Sequence, residues 1–220
     1  IRSSEALFAK LADQDVGHIL PGGMEGLGYD PAWMMLAYLE PALVRDHFAR
    51  IADHAIARMR VLRKRGYRWF NGGADMASQT GVLYSPQLLA DVVLDSLRRF
   101  ADACAAVDAV FCYRSDGNLW QVFDLLFGTA GIQAFGEADR DAGMAVGLIH
   151  ARNPRLRILG NVSSALLAEG TAQQVREETL RMLQEAEGAP FVAGPSNAIV
   201  HGTPVENVWA MVEVIQKYRI

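Results

Sequence analysis

Tyr67-Arg68-Trp69-Phe70, then Asn71-Gly72-Gly73-Ala74-Asp75-Met76-Ala77-Ser78-Gln79, then Ser85-Pro86, contains within one stretch the unit from which the chain is built. The short apolar run suits a strand buried on both faces. A polar, glycine-containing loop follows it. Ser85 then offers an N-cap hydroxyl, and Pro86 sits where the first helical residue loses nothing by lacking an N–H. Beyond it Leu89, Val93, Leu97, Phe100 and Cys104 recur at three- and four-residue steps and draw one apolar stripe. The stretch therefore reads as strand, loop and helix.

The same reading repeats along the sequence. Candidate strands are Val16 to Leu20, Tyr67 to Phe70, Ala109 to Tyr113, Gly131 to Phe135, Leu156 to Gly160 and Pro190 to Gly194. Between them lie helical stripes such as Val44, Phe48, Ile51, Ala55, Met59 and Leu62, and starts such as Thr171-Ala172-Gln173-Gln174, preceded by Gly170. Thr203-Pro204-Val205-Glu206 adds a capping-box glutamate. Alternation of this kind marks an α/β fold with a parallel sheet. Six units fit an open doubly wound sheet, or a (β/α)8 TIM barrel lacking two of its eight strands. Leu20-Pro21-Gly22-Gly23-Met24-Glu25 does not form a G-x-G-x-x-G phosphate loop after the first strand.

Bulk properties limit the function classes. With 220 residues, 51% of them hydrophobic, the chain reads as a single domain over 1–220. Its net charge of −4, with both signs interspersed, argues against nucleic acid and anionic membrane surfaces and leaves a small molecule as the expected partner. Apolar helix faces would serve a core or a homodimer interface equally. Cys104 and Cys112 form no Cys-x-x-Cys pattern, which fits a reducing cytoplasm. Ile1 to Ala12 reads as a short amphipathic helix without signal-peptide features, and no run reaches membrane-span length. The chain begins without Met, and the expectation is a domain incomplete at its amino terminus.

In a parallel barrel, the residues just past each strand converge on one mouth. Here they are polar: Asn71 to Gln79 after the second strand, Arg114-Ser115-Asp116-Gly117-Asn118 after the third, Glu137 after the fourth, Asn161 after the fifth, and Ser196-Asn197 after the sixth. An arginine at the end of an apolar strand must be paired or face a cavity. Arg114 is therefore expected to meet Asp116, Asp75, Glu137 or an anionic ligand. Asp75 and Asp116 could instead do no more than hold their turns, and Asn161 suits loop fixing better than catalysis.

The motifs in order, Asp75-Met76-Ala77-Ser78-Gln79 with Ser85-Pro86, Arg114 to Asn118, Gly160-Asn161-Val162, Glu169-Gly170-Thr171 and Pro204-Val205-Glu206-Asn207-Val208, resemble those of the uroporphyrinogen decarboxylase superfamily. The resemblance implies a (β/α)8 barrel whose first two strands are absent from this chain. It also implies an enzyme of one of two kinds. One is a methyltransferase that works with a corrinoid on a partner protein and a zinc ion; the other is a cofactor-free uroporphyrinogen decarboxylase. The zinc ligands of the first kind map onto Arg114, Asp116 and Asn197, none of them His or Cys. Zinc prefers thiolate and imidazole ligands and is repelled by a guanidinium, so no metal and no resident cofactor are expected. The later histidine of the decarboxylases maps onto Asn197, which cannot serve as an acid or base near neutrality. Their substrate-holding arginine and aspartate belong to the first two strands.

The resulting expectation is methyl transfer between a methoxylated or methylated small substrate and a corrinoid. Uroporphyrinogen decarboxylation and a non-catalytic small-molecule-binding barrel are the alternatives. Asp75, Arg114, Asp116 and Glu137 are the expected catalytic residues. Met24, Tyr29, Asn71, Gln79, Ser115, Asn118, Asn161, Ser196, Asn197 and His201 are the expected substrate contacts. Met24, Trp33, Met34 and Met35 offer an apolar wall over the mouth, with Tyr29 or Tyr38 leaning in as a tyrosine does in the decarboxylases.

Overall fold

The computed structural model describes residues 19–218. The expected amino-terminal helix, His18 and the beginning of the Val16-to-Leu20 strand lie outside the described residues.

Six parallel strands form the main sheet: β1 (Ile19–Pro21), β2 (Trp69–Gly73), β5 (Val110–Arg114), β6 (Ala134–Gly136), β7 (Arg157–Val162) and β8 (Phe191–Pro195). Their spatial order is their sequence order. A doubly wound sheet reverses strand order at its switch point, whereas a barrel is wound in one direction. The six strands are therefore consecutive staves of a (β/α) barrel. The described sheet is open between β1 and β8, each of which pairs with one neighbour.

Helices follow the strands. Helix α1 (Pro31–Leu39) is capped by Asp30, which accepts from Ala32 N at 2.9 Å and Trp33 N at 3.1 Å. Helix α2 (Pro41–Arg63) buries Val44, Phe48, Ala52, Ala55, Met59 and Leu62. After β2 a short antiparallel hairpin, β3 (Ala77–Ser78) and β4 (Gly81–Val82), interrupts the loop. Helix α3 (Pro86–Leu89) is capped by Ser85 and runs through a π-helical turn, Ala90–Leu94, into α4 (Asp95–Ala105). Another π-helical segment, Asp124–Thr129, follows β5. A 3-10 turn, Arg140–Ala142, and α5 (Val146–Arg152) follow β6. Then come α6 (Ser164–Glu169) and α7 (Ala172–Glu185) after β7, and α8 (Val205–Lys217) after β8.

All six expected strands form, but each ends later than its apolar run. Backbone pairing needs only N–H and C=O groups, so the ladder continues into Asn71-Gly72-Gly73, Arg114 and Asn161-Val162. This extension delivers polar side chains to the mouth. Phe111 faces the helices, its ring 4.8 Å from that of Phe100 on α4. By the two-residue strand period, Cys112 and Arg114 face the opposite way, and registry places Asn71 beside Cys112 and Gly73 beside Arg114.

No helix among the described residues is long and apolar enough to cross a membrane.

Candidate functional site

At the carboxyl end of β2, Gly73 has φ of +115° and donates its N–H to Met24 O at 3.0 Å. A side chain there would fall 2.2 Å from Arg114 O, so only glycine lets β2 lie this close to β5. The next residues carry Asp75 to the rim. Asp75 Oδ1 accepts from Asp116 N at 3.2 Å, and Met76 N donates to Ser115 Oγ at 3.2 Å, which joins the β2 and β5 loops. Gly117, with φ of +84°, packs against the hairpin; a Cβ there would sit 2.6 Å from Ser78 O. Asn118 N donates to that same oxygen at 2.8 Å.

Arg114 emerges from β5 and donates through Nη2 to Glu137 Oε1. Glu137 makes the pair possible by its backbone: φ of +63° breaks β6 and turns the side chain toward Arg114. The glutamate is the more buried partner, with 14% of its side chain exposed against 42% for the arginine. Burial pushes the Glu137 carboxyl above its ordinary range; Arg114 opposes this, while Asp116 and Asp75 reinforce it. Asp116 is likewise raised, by burial and then by Asp75, against the lowering effect of its hydrogen bond from Asn197.

That hydrogen bond is a chord across the mouth. Asn197 Nδ2, beyond β8, donates to Asp116 Oδ2, beyond β5, although β6 and β7 separate the two strands in the sheet. Such a contact requires the sheet to curl. Asn197 N in turn donates to Ser164 Oγ at 3.0 Å, and Ser164 N donates to Ser196 Oγ at 3.2 Å.

Two cavities flank the Asp75–Asp116 contact. The larger, about 550 Å³, is walled by Ser78, Gln79, Asp116, Asp139, Asp141, Ser164, Ser196 and Asn197 among others. The smaller, about 360 Å³, is walled by residues 71–75 with Arg114 and Glu137. Of the expected site residues, Asp75, Arg114, Asp116, Glu137, Asn71, Gln79, Ser196 and Asn197 line these walls. Ser115 lies buried behind them as a loop tie.

The remaining expected contacts take other places. Met24 is core, fully buried under the β2 end. Tyr29 is exposed and, like Trp33, Met35 and Tyr38 on the exposed surface of α1, lines neither cavity. Trp33 instead packs against His47 in a tilted arrangement, ring centroids 4.9 Å apart. His201 lies on an exposed turn, and Asn118 folds back to accept from Trp120 N at 3.1 Å. Asn161 is fully buried and donates to Ala138 O at 2.6 Å and Met144 O at 3.0 Å, so it holds the loop that carries Glu137. In each case local packing or turn chemistry claims the side chain.

Sequence reasoning missed Asp139, Asp141 and Ser164. Asp139 caps the 3-10 turn by accepting from Asp141 N at 2.9 Å, and Asp141 Oδ2 accepts from Ser163 Oγ at 2.6 Å. For the two aspartates the signal is the charged run Glu137-Ala138-Asp139-Arg140-Asp141 just past the fourth strand.

The zinc ion implied by the methyltransferase resemblance does not fit. Arg114 brings a guanidinium, and Asn197 turns its NH₂ donor, rather than its oxygen, toward Asp116. Among the described residues no group of three or more His, Cys, Asp and Glu could hold a metal ion.

Strand order and a polar mouth at the strand carboxyl ends define a protein of the (β/α) barrel class. A sequence model of the uroporphyrinogen decarboxylase (URO-D) family matches residues 24–218, and the chain belongs to that family. Among solved structures it is similar to a methyltransferase from Methanosarcina mazei, with 22% identity and a TM-score of 0.75, over 97% of this chain and 63% of that one. It also resembles a protein described as a vitamin B12 independent methionine synthase from Listeria monocytogenes, with 18% identity and a TM-score of 0.50, over 90% of this chain and 63% of that one. The chain thus spans less than two thirds of either structure's length. None of the curated proteins matches the sequence.

Proposed function

We propose that the chain carries the substrate-holding mouth of a methyltransferase that moves a methyl group from a methylated or methoxylated small molecule to a corrinoid on a partner protein. One observation supports this most. Among the described residues, the two cavities present five carboxylates, Asp75, Asp116, Glu137, Asp139 and Asp141, against a single guanidinium that Glu137 already engages. A uroporphyrinogen carries eight carboxylates and would meet repulsion there, which disfavours decarboxylation. The methyltransferase likeness at a TM-score of 0.75 points the same way.

The corrinoid would supply the electron pair that accepts the methyl group. This chain's part is to hold the donor in line and manage its leaving atom. When a methyl–oxygen bond breaks, the oxygen keeps the bonding pair and needs a proton. Glu137 and Asp116, whose affinity for a proton burial raises, would relay one to it from solvent. Asp75 fixes the Asp116 loop, Arg114 restrains Glu137, and Gln79, Ser196 and Asn197 offer hydrogen bonds to the donor.

Incubation with cob(I)alamin under reducing conditions and a panel of methyl donors (2-methoxyphenol, methanol, trimethylamine) tests the proposal. The expected result is consumption of the cob(I)alamin absorbance together with demethylated donor by mass spectrometry, both reduced at least tenfold in Glu137→Gln. Release of carbon dioxide from uroporphyrinogen, with no donor demethylated, would establish the decarboxylase reading instead. Inactivity in both assays together with retained ligand binding would identify a binding barrel.

A further inference from the structure

The larger cavity differs in kind from the smaller. Its charged groups are Asp116, Asp139 and Asp141, and no Lys, Arg or His stands among its described walls. Each of the three carboxylates is already fixed by protein donors: Asn197 for Asp116, the Asp141 and Ala142 amides for Asp139, and Ser163 for Asp141. Each keeps accepting capacity to spare, since an ionised carboxylate has about four lone-pair sites. Of the guanidinium groups nearby, Arg114 lies in the smaller cavity against Glu137, and Arg140 forms a two-pronged pair with Glu185 at 2.5 and 3.3 Å. In the smaller cavity, Asn71 Oδ1 is shielded from solvent and has no donor. A buried acceptor left open is costly unless a donor fills it. The charged walls of the larger cavity are thus all carboxylate, whereas the smaller sets Arg114 beside its carboxylates and keeps one unfilled acceptor at Asn71.

From this we infer that the guest is a cation with N–H donors, a protonated N-methylated amine, rather than a neutral methyl ether or a carboxylate. This rests on the methyl-transfer reading and narrows its donor class. Such a donor also eases the chemistry: when the methyl–nitrogen bond breaks, its electron pair stays on nitrogen and the amine leaves neutral, with no proton required for departure. The neutral amine then regains a proton from solvent. Among the described residues no aromatic side chain lines the larger cavity, so its described walls offer no ring-face attraction of the kind that holds quaternary ammonium groups. N–H bonds to carboxylate must supply the recognition, which favours a tertiary or secondary ammonium over a quaternary one.

Three probes of one shape test the charge: protonated N,N-dimethylethanolamine, its neutral isostere 3-methylbutan-1-ol, and the anion 3-methylbutanoate. Binding of each is measured by NMR titration at pH 7 in low salt and again at 0.15 M. The cation is expected to bind about tenfold or more tightly than the alcohol, more weakly at the higher salt, with the anion weakest. Choline, which lacks the N–H, should bind more weakly than its dimethyl counterpart. Asp139→Asn and Asp141→Asn keep shape and hydrogen bonds while removing charge, and each should weaken the cation severalfold. Asp95→Asn, on the outer helix α4, serves as the control for net charge and should leave it unchanged. Equal binding of cation and alcohol, or preference for the anion, overturns the inference. The two readings fail separately. Amine binding without methyl transfer sinks the enzymatic proposal alone, whereas demethylation of 2-methoxyphenol with no amine preference sinks this one alone.

Discussion

Individual residues at the mouth are held by groups that also set their proton affinity. Arg114 lowers and burial raises the affinity of Glu137 for its proton. Removing the cation in Arg114→Ala should therefore move the Glu137 titration upward, which carboxyl ¹³C NMR can follow. The pair itself is half exposed on the arginine side, so the stability lost should stay near ~1 kcal/mol. Asp116 gives the opposite kind of test. Its folded-state value lies above the ordinary one, so its contribution to stability is present when it is protonated and disappears as pH rises through the raised value. Asp116→Asn removes that loss while keeping an oxygen for Asn197. It should melt about 1–3 °C above the parent near pH 7.5, with the gain vanishing in acid. Gly117→Ala should cost about 2 kcal/mol or more, because a left-handed backbone and the Ser78 carbonyl both reject a Cβ. A fall in denaturation midpoint with unchanged slope would confirm a purely native-state effect.

At the scale of elements, caps and periodicity were readable where one residue decides the outcome. Ser85 accepts from Leu88 N at 3.2 Å, and Thr171 forms the full capping box with Gln174. Ser85→Ala should lower stability by about 1 kcal/mol, measured by chemical denaturation. The stripe Leu89, Val93, Leu97, Phe100 and Cys104 is wholly buried, but the π-helical turn at Ala90–Leu94 gave no signal in the sequence. The hairpin of β3 and β4 was equally silent, since two-residue strands have no period to detect. Strand ends were misplaced for a physical reason. Apolar content marks where a strand is buried, whereas pairing continues until the backbone turns, and the mouth lies in that difference. Asp75, Arg114, Asp116 and Glu137 could be found because each closely follows an apolar run. Asp139, Asp141 and Ser164 sit further along their loops, placed by turns that only the fold defines.

For the whole molecule, pattern alone left two topologies open, and the monotonic strand order decides between them. Exposed apolar side chains concentrate near the two sheet edges: Met35, Tyr38 and Leu39 on α1, which follows β1, and Val192 on β8 with Val205 and Trp209 on α8. Self-association that grows with concentration is the expected outcome. The double variant Leu39→Gln with Trp209→Ser should sediment more nearly as a monomer, and an unchanged sedimentation profile would count against edge-mediated contact. The rim has a different consequence. Successive loops are stitched together, Met76 to Ser115, Asp75 to Asp116, Asp116 to Asn197 and Asn197 to Ser164, so a large part of the ordering that a visitor would otherwise impose is already complete before it arrives. Occupancy should then leave amide exchange at these positions nearly unaltered, and the entropic penalty of docking should fall mainly on the visitor.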